Sequence, residues 1–183
     1  VEEVVRSAGL ERIPSTPLPR HGGGAKPVLT EKQKRARRAR RDLAARGLVE
    51  AVTWSFITKK EAQAFGGGAD ALDLANPIST EMSSMRPSLL AGLVASVTRN
   101  RNRAVGDVAL FELGQAYRGD KADDQYLSAA GVRAGTAQLA GSGRHWSGKA
   151  ADAGVFDVKA DVYAALSALS FDASQAQITR AAP

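Results

Sequence analysis

The chain contains no cysteine. That excludes disulfides, thiolate metal sites and thiol nucleophiles, and it fits a reducing, cytoplasmic compartment. Histidine is nearly absent too: His21 and His145 stand far apart, with no HxxH or HExxH spacing, so a zinc or metalloprotease centre lacks its ligands. Aromatic residues make up only 5%, which leaves alanine, leucine and valine to fill any core. No apolar run approaches the ~20 residues that span a bilayer, and the sequence does not open on a signal-peptide pattern. It begins VEEVV without methionine and ends ITRAAP, so a piece of a longer polypeptide is expected.

What is present supports one full domain plus part of another: 183 residues, 44% of them hydrophobic. The net charge of +6 is local rather than general. Seven bases (Lys32, Lys34, Arg35, Arg37, Arg38, Arg40, Arg41) crowd EKQKRARRARR at 31–41, and Arg99, Arg101 and Arg103 follow in RNRNR. Outside these two runs 15 bases face 18 acids. The sequence therefore describes two basic patches on a near-neutral body.

Residues 1–19 read as a short helix closed by Gly9, then an extended Pro-rich exit; three prolines forbid a helix there. Residues 20–29, with HGGGA at their centre, read as a linker. Thr30 is a candidate N-cap for a helix running to Gly47, on which Ala36, Ala39, Leu43 and Gly47 share one narrow stripe. LVEAVTWSFI, 48–57, reads as a strand. A Thr58-capped helix stopping at FGGGA and a short strand over 71–77 follow. Then comes LANPISTEMSSMRPSLLAGLV, 74–94, in which Pro87 suits a first helical turn and Met82 and Met85 suit irregular gaps. A helix over 88–103 ends on its basic run, as the helix dipole favours. Residues 107–118 and 126–135 form a hairpin around a charged turn, and 155–170 form a last helix with Asp157 near its start. The order predicts an α+β fold, an antiparallel or mixed sheet faced by helices.

A catalytic site is hard to find in this text. The glycine clusters, including GSG at 141–143, lack the Lys-Ser/Thr and the strand–loop–helix context of a phosphate loop, and no GxSxG elbow occurs. Phosphoryl or adenylyl transfer would need phosphate-clamping arginines and Mg²⁺-binding acids; the nearest set is Arg118 with Asp120, Asp123 and Asp124, in what reads as a solvated hairpin tip. Glu2 and Glu3 would hold Mg²⁺ only as part of a larger carboxylate cluster. The arginines of 31–41 are either a solvated face or a surface for an RNA backbone or an acidic partner; no aromatics interleave with them, which weakens base stacking.

Several ordered motifs together resemble the beta-subunit family of bacterial phenylalanine–tRNA ligases: LANPISTEMSSMRPSLLAGLV followed by NRNRAVGDVALFELGQAYR, with VEEVVRSAGLERIP and LTEKQKRARRARRDLAARGLVEAVTWSFI ahead of them and VFDVKADVYAALSAL behind. The resemblance covers almost the whole chain. It implies that 1–19 end a preceding small domain, that 20–29 link, and that 30–183 form a class II aminoacyl-tRNA synthetase-like module, an antiparallel sheet flanked by helices and cut short at its C-terminus. It implies a module without catalysis of its own, supporting an alpha subunit in an α2β2 assembly that uses ATP and Mg²⁺ to attach phenylalanine to its tRNA, and contributing subunit contacts and tRNA binding. The family's adjacent metal-binding glutamates fall on Glu2 and Glu3, whose aspartate co-ligands would lie upstream of Val1. One departure is Gln115 where the family has arginine after Gly114. The small-residue stripe of helix 30–47 is expected to serve the subunit interface. The alternative reading is a stand-alone basic RNA-binding domain; a third, an independent enzyme built on Arg118, requires adenylate formation without a partner.

Overall fold

The computed structural model describes residues 1–19, 27–136, 146, 148, 150–177 and 179. The chain forms two compact units, Val1–Thr30 and Glu31–Pro183. Both histidines and the HGGGA glycines fall outside the described residues. In the first unit α1 (Glu2–Ala8) ends where Gly9 takes φ 95°, a 3₁₀ turn covers Leu10–Arg12, and 13–19 run without regular structure. No residue of α1 is buried.

The second unit begins with α2 (Glu31–Ala45). Its end is set by Gly47, at φ 83°. There Gly47 N–H donates to the Ala44 carbonyl at 2.9 Å and Leu48 N–H to the Leu43 carbonyl at 3.2 Å. These two bonds are a Schellman motif, and a left-handed residue is what it needs. Leu48 then packs beside Leu43, closing the motif with an apolar contact.

The chain next meets the sheet, but 48–57 is not one strand. β1 is only Val49–Glu50 and β2 only Phe56–Ile57. β1 pairs in parallel with Leu110–Phe111, whereas β2 pairs antiparallel with β3 (Ser84–Met85) in a separate two-stranded sheet. The break has a side-chain cause. Thr53 donates its N–H, at 3.3 Å, and its hydroxyl, at 2.7 Å, to the Glu112 carboxylate. Its main chain is thereby withdrawn from the ladder. The expected strand at 71–77 is likewise a 3₁₀ turn, Asp70–Leu72, with a single bridge from Asp73 to Ser84.

Between β2 and β3, α3 (Lys59–Ala64) starts on a full capping box: the Glu61 N–H donates to the Thr58 hydroxyl, and the Thr58 N–H to the Glu61 carboxylate. FGGGA carries the chain away from its end, in keeping with a connector. α4 (Leu90–Arg101) begins later than expected. Pro87 lies ahead of the helix because its carbonyl accepts the Tyr126 hydroxyl at 3.0 Å, while Ser88 Oγ accepts the Leu90 N–H.

β4 (Val108–Tyr117) and β5 (Gln125–Ala134) form the long hairpin in unbroken antiparallel register. The sheet order is β1–β4–β5, so β4 is central and the sheet is mixed rather than purely antiparallel. Being central, β4 is buried on both faces from Phe111 to Leu113. Phe111 and Leu113 join Leu48 and the α2 stripe residues Ala39 and Leu43, with Ala165 of the last helix and Leu169 just past its end packed alongside. That helix, α5 (Val155–Ala168), starts where the Gly154 N–H donates to Asp157 at 2.7 Å. α2 and α5 therefore share one face of β4. The alternate residues, Glu112 and Gly114, look toward the α4 side, where Leu89 and Leu93 are buried. The stripe on α2 is thus consumed by the module's own core, and the expectation that it serves a subunit interface is corrected.

Candidate functional site

The deepest polar arrangement joins three distant parts of the chain. Arg86, leaving β3, and Glu112, at the middle of β4, are each 3% exposed. Arg86 NH1 donates to Glu112 Oε1 at 2.8 Å and to Thr53 Oγ1 at 2.9 Å, with longer bonds to the Thr53 and Trp54 carbonyls. Its Nε donates to the Gln115 carbonyl at 2.9 Å. Glu112 Oε2 accepts from Thr53, so both carboxylate oxygens have partners. Close approach requires Gly114, since a Cβ there would sit 2.6 Å from Arg86 NH2. An ion pair this buried is tolerable only because hydrogen bonds satisfy it so fully.

The arrangement binds the 51–55 segment to the sheet and leaves its apolar side chains outside: Val52 is 90% and Trp54 70% exposed. Beside them lies an open groove of about 480 Å³, bordered by Phe56, Met82, Gly92 and Arg99, with Glu61 and Glu81 at its rim. Arg86 and Glu112 do not line this groove; they lie behind the 51–55 segment and hold each other.

A second buried charge cluster sits on the opposite face. Asp161 of α5 accepts from Arg46 Nε at 2.7 Å and from Arg133 Nε at 2.6 Å, and Arg133 NH2 adds a bond at 3.0 Å. Burial alone would raise the Asp161 carboxyl, but the two arginines outweigh it and hold it below the usual carboxylate range. The cluster staples α5 to β5 and to the end of α2. Neither cluster was singled out in the sequence.

Arg118 lies at the hairpin tip, its guanidinium 4.4 Å above the Tyr126 ring. Asp124 accepts the Lys121 N–H in the tight turn Ala122–Asp124. Arg118 is thus engaged by an aromatic ring and Asp124 by the turn, in keeping with a solvated tip. Gln115, where the resemblance expects arginine, is exposed, and its carbonyl serves Arg86.

Glu2 and Glu3 occupy the exposed first turn of α1. Neighbouring helical residues point about 100° apart, and Glu2 pairs with Arg6 at 2.7 Å. Among the described residues no three His, Asp or Glu side chains come together as a metal site. The two carboxylates offer hard oxygens of the kind Mg²⁺ takes, but they do not by themselves make a closed ligand set.

On α2 the bases divide. Arg40 turns back to Glu50 at 2.7 Å and to the Leu113 carbonyl. Lys34 pairs with Glu31 at 2.8 Å. Lys32, Arg35, Arg37, Arg38 and Arg41 are exposed, and among the described residues none of them makes an ion pair. Arg99, Arg101 and Arg103 are exposed at the end of α4.

The chain matches the model of the phenylalanyl tRNA synthetase beta chain CLM domain over residues 13–182. It is 52% identical over its full length to the phenylalanine–tRNA ligase beta subunit of Bradyrhizobium diazoefficiens, 54% over 97% of its length to that of Nitrobacter winogradskyi, and 56% over 92% to that of Rhodopseudomonas palustris. It spans only 23%, 22% and 21% of those proteins. Among solved structures, a Desulfitobacterium hafniense pyrrolysyl tRNA synthetase matches at TM-score 0.53 and 17% identity, over 78% of this chain and 48% of that one. An ATP phosphoribosyltransferase regulatory subunit/histidyl-tRNA synthetase from Bacillus halodurans matches at TM-score 0.53 and 14% identity, over 85% and 39%. At such identities these two similarities establish the α+β synthetase fold and nothing more.

Proposed function

We propose, from the premise that the chain belongs to the phenylalanyl-tRNA synthetase beta chain CLM-domain family, that it serves as a scaffold module within an ATP-dependent phenylalanine–tRNA ligase. In this reading the module supports subunit assembly and tRNA binding in a cytoplasmic α2β2 enzyme, and the alpha subunit performs the chemistry. The observation that carries it is the Arg86–Glu112–Thr53 arrangement. The buried carboxylate and guanidinium behind the 51–55 segment are committed to each other, and the guanidinium also to main-chain carbonyls. They brace the 51–55 segment, and its exposed Val52 and Trp54 offer apolar surface of the kind a partner subunit covers. Residues 20–29 link the end of a preceding domain to this module. Glu2 and Glu3 contribute to a Mg²⁺ site whose other ligands come from elsewhere in the longer protein.

The test is co-purification of the complete beta protein with the alpha subunit, followed by a charging assay with phenylalanine, ATP and tRNA. The assembled pair is expected to charge tRNA while beta alone forms no aminoacyl-adenylate. Adenylate formation by beta alone overturns the scaffold reading. The stand-alone RNA-binding reading draws on the exposed arginines of α2, and it predicts RNA binding undiminished by the absence of alpha.

A further inference from the structure

We infer that the outward face of α2 is a docking surface for the phosphate backbone of the tRNA; this rests on the ligase reading above and names the residues that would make the contact. On a helical wheel Lys34, Arg37, Arg38 and Arg41 fall within about 100° of arc, opposite the buried Ala39 and Leu43. Over seven residues at about 1.5 Å rise they form a row roughly 10 Å long. Their stems are fixed to a helix that the core holds on its other side, so the charges are presented without ordering a loop. Arg37, Arg38 and Arg41 are exposed and make no ion pair among the described residues. The one acid in the row's first turn, Glu31, is drawn below its ordinary range by Lys34 and the nearby Arg38 and Arg35.

The chemistry of the face selects the partner. Protein interfaces build on an apolar centre depleted of charge, and this face has none between Lys34 and Arg41. No aromatic ring stands among the arginines, so bases have nothing to stack on. Guanidinium forks match phosphate oxygens two at a time. The rest of the chain is slightly acidic outside its two basic runs, which favours orientation of this side toward a polyanion.

The experiment uses the assembled alpha–beta ligase and its tRNA. Direct binding is measured across a salt series for the wild type, for R37Q/R38Q/R41Q, and for R12Q/K60Q/K159Q, which removes equal charge elsewhere. Each lost phosphate contact lowers the slope of log K against log salt by about 0.7–0.9. The α2 triple variant is expected to lose about two or more units of slope, while the control keeps its slope. A wild-type slope in the α2 variant overturns the inference, as does an equal loss in the control. A changed elution volume of the α2 variant complex with an unchanged slope also overturns it, in favour of an acidic protein partner. Binding is read whether or not the complex charges tRNA. A wild-type complex that binds but never charges sinks the ligase reading alone; one that charges while the variant keeps its slope sinks only this inference.

Discussion

Arg86 shows how far one residue can reach. Its guanidinium holds β4 through Glu112 and Gln115, and the 51–55 segment through Thr53 and Trp54. Removing one member of so buried a pair strands the other's charge. Arg86→Met is therefore expected to cost about 3–5 kcal/mol by urea unfolding, and the double variant Arg86→Met/Glu112→Leu to recover much of that. Equal loss in the single and double variants would show that the pair matters only through packing. Little of this was legible in the sequence. Thr53, Arg86 and Glu112 are 33 and 26 residues apart, and no local periodicity links them. The available signal was Glu112 itself, one acid inside VALFEL on a strand whose neighbours are apolar; a buried charge of that kind demands a partner.

Helices read well and short strands poorly, for a physical reason. α2, α4 and α5 carry local signals in their periodicity, their turn residues and, for α5, the Asp157 that accepts the Gly154 N–H. The hairpin was equally legible, because β4 and β5 pair with each other across a nearby turn. By contrast 48–57 has strand composition throughout, yet the Thr53–Glu112 bonds divide it between two sheets. The α2 stripe is visible in the sequence as a packing face, but what fills it is not: Phe111 and Leu113 of β4, with Ala165 of α5 alongside, rather than another subunit. Two expectations follow at this scale. Ala39→Glu places an unpaired carboxylate against the cluster containing Phe111, so it should unfold the second unit, with loss of helical circular dichroism, whereas Arg38→Gln should shift stability by no more than ~0.5 kcal/mol. An Ala39→Glu variant that stays folded and fails only in assembly would restore the interface role. Gly47→Ala strains the left-handed turn of the Schellman motif and should cost about 1 kcal/mol in chemical denaturation. No measurable change would mean that the turn relaxes into another ending.

Taken whole, the molecule is balanced against acid by a few carboxylates. Asp161 is held low by Arg133 and Arg46 despite its burial, and Asp73 is held low first by its hydrogen bond to Lys59. A carboxyl whose folded pKa lies below its unfolded value of about 3.9 adds stability that is complete above that value. That stability is lost as the pH falls through the folded pKa, because the unfolded chain then takes up protons that the folded chain must refuse. The same titration strips negative charge from a chain already at +6 and carries it toward the +25 of its Lys and Arg, so repulsion grows while the staples fail. Thermal stability should therefore be level from neutral pH down to about 5 and drop steeply below about 4. Asp161→Asn removes one staple at every pH: it should lower the plateau by about 3 kcal/mol and make the acid limb shallower, since one fewer proton is linked to unfolding. Parallel curves for the variant and the wild type, displaced but equal in slope, would show that Asp161 takes no part in the acid transition and that the general rise in positive charge drives it alone.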